Sequence, residues 1–275
     1  MRRVLVMLQV SAGCNRCGAC VDSCPSGLLA MNGEGPQYVG LEEACIACGH
    51  CVAACPEAAL DHRKAPLRNQ VPLDRFPVLD APSAYRFLRS RRSIRRYKPD
   101  AVPKEILLQL LDLARFAPSG GNTQGLSYIV VTQPELMKKL TAVTVNWLED
   151  LLAKTDAPWI KRYARIVDSY RATRYDTVLR DAPSLIVATA PKAAPMGKDT
   201  ARFALAYAEL FATTLGLGTC WAGLFEGCAS SGSHEVQELL GIDEQTAVVG
   251  AIMVGYPRYT YHRLVDRNPL AVAWR

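Results

Sequence analysis

"CNRCGACVDSCP", residues 14–25, and "CIACGHCVAACP", residues 45–56, both read C-x2-C-x2-C-x3-C-P. Three thiolates at that spacing can wrap one corner of an iron–sulfur cubane, because each CxxC step turns the backbone around the metal. The fourth, carried off by the following turn, reaches the other cluster. The spacing predicts one 4Fe–4S cluster on Cys14, Cys17, Cys20 and Cys55, and a second on Cys45, Cys48, Cys51 and Cys24. Pro25 and Pro56 stiffen each exit and remove an amide that would otherwise need a partner. The runs form an internal repeat, and each continues into a predicted strand, "SGLLAM" and "EAALDH".

Zinc and disulfides are the competing readings. Zinc sites take four ligands, commonly as paired CxxC, and leave the third cysteine of each run idle. Disulfide frameworks belong to small secreted chains. Here eight of the ten cysteines fall within the first 55 of 275 residues, at metal-ligand spacing. This stretch resembles the bacterial two-cluster ferredoxins. Asn15 and Arg16 stand between the first two ligands, where that family commonly has apolar residues. A cation there is expected to raise the potential of the first cluster, since it favours the more negative reduced state.

The other bounds are plain. A formal charge of +6 is mild, with arginines clustered at 86–96, which points to a local anion site and not to a nucleic-acid surface. The opening "MRRVLVMLQVSAGC" imitates a signal sequence, but its apolar run is short and Cys14 begins the cluster motif. Arg2–Val10 is read as a first strand. No stretch is long and apolar enough to span a bilayer, so a cytoplasmic location without membrane contact is expected.

Residues 1–62 thus make a ferredoxin-like domain. Residues 63–82, with prolines at 66, 72, 77 and 82, read as an extended connector expected to lie along the second domain's surface. Residues 83–275 alternate helical patterns with apolar runs. "VPKEILLQLLDLARFA" is helical, "LSYIVVT", "PSLIVATA" and "AVVGAIMVGY" are strands, and "TARFALAYAELFATTLGLG" is a buried helix ended by glycines. The segment 135–180 reads as helix broken only at "TDAP", with Trp159, Tyr163, Tyr170 and Val178 on one packed face. An α+β domain follows.

Three stretches in this domain occur in a telling order: "SRRSIRRYKPD", then "FAPSGGNTQG", then "GYPRYTYHRLVDRNPLAVAW". With "RDAPSLIVATA" and "LGLGTCWAG" between them, they resemble the nitroreductase family of FMN flavoproteins. The resemblance implies an α+β sandwich around a central, mainly antiparallel sheet. It also implies a homodimer with FMN at the interface. Arg91, Arg92 and Ser93 would hold the phosphate and ribityl end, with Arg263 closing on the phosphate, which rewards bidentate guanidinium contacts. Arg95 would approach the pyrimidine edge, where a cation stabilises the charge of the reduced flavin. The loop Pro118, Ser119, Gly120, Asn122 and Gln124 would come from the other subunit. Cys220, Trp221 and Gly223 would line the ring. Where the family often has Gln-Pro-Trp after the Asn, this chain has Gln124-Gly125-Leu126. Tyr261 stands where relatives carry a second basic residue.

Joined in one chain, the two domains imply an FMN- and iron–sulfur-dependent oxidoreductase. Its clusters relay electrons, one at a time, toward a flavin that reduces a nitroaromatic, a quinone or another electron-poor small molecule. A ferredoxin or flavodoxin is the expected donor, and no side chain is assigned as proton donor. The alternatives are a pathway-specific flavin reductase or dehydrogenase, a reductive dehalogenase like the iodotyrosine deiodinases that share the fold, and a non-enzymatic electron-transfer or redox-sensing module. His50 is expected near the second cluster without ligating it. His62, His234 and His262 show no metal spacing, and Cys220 and Cys228 read as small buried hydrophobes.

Overall fold

The offset between the two cysteine runs, 45 − 14 = 31 residues, carries through the backbone of the computed structural model, which describes residues 7–73 and 76–275. Helix α1 (Ala19–Asp22) and strand β2 (Leu29–Met31) recur as α2 (His50–Ala53) and β4 (Leu60–His62). Left-handed backbone recurs with them: Arg16 and Ala47, Gly18 and Gly49, and Gly27 and Ala58 all have positive φ. Such conformations turn the chain tightly enough to bring CxxC thiols to one side. Strand β1 (Leu8–Val10) pairs antiparallel with β4, and β3 (Pro36–Tyr38) with β2. Of the expected strand at 2–10, residues 2–6 lie outside the described set. The apolar centre is small: Leu8, Cys20, Leu29, Val52 and Leu60.

This first unit runs to Leu79 and takes in Gly121–Thr123. The start of the expected connector is more structured than its prolines suggest. A short 3-10 turn at Leu67–Asn69 is held by the Leu67 amide donating to Asp61 Oδ1 at 2.8 Å, and Ala65 and Gln70 pack beside Gly49.

The second unit, Asp80–Gly120 with Gln124–Arg275, is built on a four-stranded sheet. Strands β5 (Ser127–Val131), β6 (Ser184–Pro191), β7 (Gly218–Trp221) and β8 (Thr246–Gly255) lie in the order β5-β6-β8-β7, every neighbouring pair antiparallel. The two central strands are buried on both faces, which is why they read as continuous apolar runs. Leu185, Val187, Ala251 and Met253 face one core, packed by α5 (Pro134–Lys154), α7 (Ala164–Thr173), α9 (Gly223–Ser230) and α10 (His234–Leu240). Ile186, Ala188, Ile252 and Val254 face the other, packed by α4 (Lys104–Ala114) and α8 (Gly197–Thr214). The sandwich with a central antiparallel sheet is as expected.

Details differ from the sequence reading. Helix α3 (Ala81–Ser90) starts with Asp80 as N-cap, its carboxylate accepting from the Ser83 amide at 2.9 Å. The break at 155–157 separates α5 from a short α6 (Pro158–Lys161). Trp159, on α6, is 59% exposed while Tyr170 and Val178 are buried, so the four residues do not form one packed face. Helix α8 leaves Phe203 and Tyr207 exposed. Beyond 258 the tail is exposed, and Arg89 ties it down by donating to the Val265 carbonyl at 3.2 Å.

Candidate functional site

In the first unit the eight motif thiols line two separate cavities. The first is bounded by Cys14, Cys17, Cys20 and Cys55. The second is bounded by Cys45, Cys48, Cys51 and Cys24. The eight thiols thus fall into two sets, each holding three cysteines of one run and the last cysteine of the other. All ten cysteines are free thiols. Among the described residues, no three Cys, His, Asp or Glu side chains are placed to share a single metal ion. A zinc ion needs four donors at about 2.3 Å for sulfur.

Backbone amides support the crossing ligands in pairs. Leu28 N donates to Cys24 Sγ at 3.3 Å, and its repeat equivalent Ala59 N donates to Cys55 Sγ at 3.2 Å. Such bonds favour the thiolate. Burial works the other way, raising Cys20 and pushing Cys51 up to about 11, so deprotonation of the buried thiols is coupled to metal binding. Asn15 is fixed by its own contacts: its Oδ1 accepts from Cys17 N and its Nδ2 donates to Glu57. His62 and Tyr38, which the spacing did not single out, line the second cavity. His62 is buried, with Nε2 3.7 Å from Cys45 Sγ, and burial together with Lys64 and Arg63 holds its pKa below the usual histidine value. The repeat offset was the available signal, since 31 + 31 places His62 where the first half has Met31. His50 is exposed and absent from the cavity lining.

In the second unit, "SRRSIRRYKPD" leaves α3 and runs along the edge of the sheet. Ser93 bridges Thr219 of β7 in parallel, Ile94 N donates to Thr219 O at 2.8 Å, and Tyr97 bridges Pro257. Gly218 makes this possible, because a Cβ there would lie 2.3 Å from the Ile94 side chain. The segment thereby brings Arg91, Arg92, Ser93 and Arg95 to the edge that also carries Cys220 and Trp221. Arg91 lies 3.7 Å from Glu209, which also accepts from the Thr219 hydroxyl at 2.9 Å. Arg92 stands over the Tyr261 ring at 5.7 Å, and its Nε is buried without a hydrogen-bond partner. Cys220 is buried; burial raises its pKa, while the nearby Arg95 and Arg180 pull it down. Trp221 is oriented by donation from its Nε1 to Glu226 at 2.5 Å, next to Gly223.

Arg180 carries no motif of its own in the sequence. It and Asp181 have positive φ in a loop gathered by Asp176, whose carboxylate accepts from Val178, Leu179 and Asp181 amides and from the Thr141 hydroxyl. The remaining predicted residues lie elsewhere. Ser119 Oγ accepts from Gln124 N at 3.1 Å, Pro118 is exposed, and Gly120 faces Met196. Asn122 belongs to the first unit, its Nδ2 donating to the carbonyls of Ile46 and Ala47 at 2.9 and 3.1 Å. Arg263 lies in the exposed tail.

Paired thiol cavities in the first unit, and in the second an α+β sheet whose edge gathers arginines, define a redox protein with an iron–sulfur module. Residues 7–56 match the 4Fe-4S dicluster domain, and residues 88–256 match the nitroreductase family. The chain belongs to the nitroreductase family and is an oxidoreductase. It is 29% identical to an NADH dehydrogenase of Thermus thermophilus, over 72% of this chain and 98% of that protein. It is 26% identical to an iodotyrosine deiodinase of Thermotoga neapolitana, over 63% and 88%. Its fold matches a nitroreductase with bound FMN from Bacteroides fragilis with a TM-score of 0.56 at 20% identity, covering 69% of this chain and 98% of that one. An iodotyrosine deiodinase bound to FMN and 3-iodo-L-tyrosine matches at 0.54 and 23%, covering 70% and 98%.

Proposed function

We propose that this protein takes single electrons from a low-potential ferredoxin or flavodoxin through its cluster domain, passes them to FMN in its nitroreductase domain, and reduces a nitroaromatic, a quinone or another electron-poor small molecule. The observation that carries the reading is the crossed partition of eight thiols into two cavities in a chain that also belongs to the nitroreductase family. Bound in the second unit, FMN supplies a carrier that accepts electrons singly and delivers them in pairs. The clusters supply single-electron transfer.

The chain's own residues then have distinct tasks. The buried, unpartnered Nε of Arg92 is a donor awaiting an acceptor, and a phosphate oxygen satisfies it. Arg91 shares its charge with Glu209, which fixes its direction but weakens its grip on an anion. Ser93 is held at the sheet edge by its bridge to Thr219, ready to add a hydroxyl. Arg95 supplies positive charge where the reduced flavin gathers negative charge. Arg263, together with Pro118, Ser119, Gly120, Asn122 and Gln124, completes the site in a homodimer. The exposed Phe203 and Tyr207 of α8, and Leu270 and Trp274 of the tail, support a second copy covering these surfaces.

A second reading keeps the cofactors and changes the acceptor to a halogenated aromatic; the iodotyrosine deiodinase relatives favour it. Anaerobic reoxidation of the reduced, reconstituted protein separates the two. Rapid reoxidation by nitroaromatics or quinones, with halogenated phenols inert, is expected. Halide release with inert nitro compounds selects the second reading, and a protein that retains no flavin rejects both.

A further inference from the structure

The two cluster cavities are built from one repeated pattern, so differences at equivalent positions are informative. Thirty-one residues apart, Leu60 lines the first cavity and Leu29 the second, and Met31 lines the first where His62 lines the second. Leucine answers leucine. A thioether, which offers no hydrogen to a thiolate, is answered by an imidazole, which can.

The geometry fixes which nitrogen carries the hydrogen. The Lys64 amide donates to His62 Nδ1 at 3.2 Å, so Nδ1 is the acceptor and the ring hydrogen resides on Nε2. Nε2 lies 3.7 Å from Cys45 Sγ, within reach of an N–H···S bond. The ring is 3% exposed and cannot easily swing away. The Lys64 side chain keeps the turn in place, donating to the carbonyls of Glu42 and Cys45.

We propose that His62 donates its Nε2 hydrogen to the Cys45 thiolate and so raises the reduction potential of the cluster held by Cys24, Cys45, Cys48 and Cys51. The inference rests on that cavity holding a cluster. A donor aimed at a ligand sulfur withdraws charge from the cluster and stabilises the reduced, more negative form, and burial strengthens the effect. The first cluster has no equivalent donor at Met31. His62 is a positioning residue that acts through Cys45.

The test is a potentiometric titration of the reconstituted full chain followed by electron paramagnetic resonance, wild type against His62→Met, after iron content has been measured in both. The substitution installs the first half's own residue. One midpoint should fall so that its reduction constant drops about tenfold, about 59 mV for a one-electron couple, while the other midpoint stays. With iron content equal to wild type, unmoved midpoints, or both moving equally, would overturn the proposal. If the variant loses the second cluster, pulsed resonance on reduced wild-type protein labelled with nitrogen-15 at histidine decides. A histidine nitrogen coupling is expected, and its absence overturns the proposal. Wild-type protein that takes up no iron rejects the cluster assignment itself, a separate failure.

Discussion

Cys55→Ser should remove the cluster of the first cysteine run and spare that of its own run. Cys55 lines the cavity of Cys14, Cys17 and Cys20, while Cys45, Cys48 and Cys51 close on Cys24. About eight irons per chain are expected in the wild type, and the variant should retain about four after anaerobic reconstitution. Pairing the substitutions makes the crossing visible. Adding Cys14→Ser to Cys55→Ser should cost little further iron, because both ligands serve one cluster. Adding Cys45→Ser should remove most of what remains. Iron analysis and resonance spectra of the three proteins check this. Should Cys45→Ser be the silent partner and Cys14→Ser the costly one, the cavities would be serving their own runs and the crossed arrangement would be wrong.

Arg92→Met should have opposite effects on flavin binding and on the flavin-free protein. A buried donor without a partner costs about 1–3 kcal/mol, so deleting the Arg92 guanidinium removes a penalty from the apoprotein. Against this stands its stacking on Tyr261, worth about 0.5–1 kcal/mol when exposed. Melting of the apoprotein should therefore be unchanged or slightly higher. Affinity for FMN should fall at least about tenfold, because a hydrogen bond to a charged group contributes about 1.5–3 kcal/mol. Fluorescence titration of the apoprotein with FMN measures the second quantity and calorimetry the first. An apoprotein that melts markedly lower and binds FMN as before would mean that Arg92 serves the fold.

The cluster domain was legible because its chemistry is written in spacing. Six glycine, arginine and alanine positions with positive φ recur at the same offset as the thiols, and a local turn of that kind follows from the local sequence. The sheet was legible for a related reason: β6 and β8, buried on both sides, admit only apolar or small residues over most of their length. What stayed hidden depends on distant partners. Nothing near Arg91 announces Glu209, more than a hundred residues away, nor does the local text "YDTVLRDAP" reveal that Asp176 gathers the loop carrying Arg180. Trp159 reads as one helical face with Tyr163, Tyr170 and Val178 only if the helix is continuous; the break before α6 ends that periodicity, and Trp159 is exposed. His62 lacks ligand spacing, a signal that finds ligands and is blind to side chains that touch a ligand.

The central claim is that electrons reach the flavin by way of the clusters. The direct measurement mixes the anaerobic, FMN-loaded full chain with a reduced low-potential ferredoxin and follows the flavin band and the cluster absorbance separately. The comparison protein is Cys14→Ser/Cys45→Ser, loaded with FMN but deficient in iron. The account predicts cluster reduction first, flavin bleaching after it, and a flavin in the double variant that bleaches orders of magnitude more slowly. Equal bleaching rates in the two proteins would contradict it.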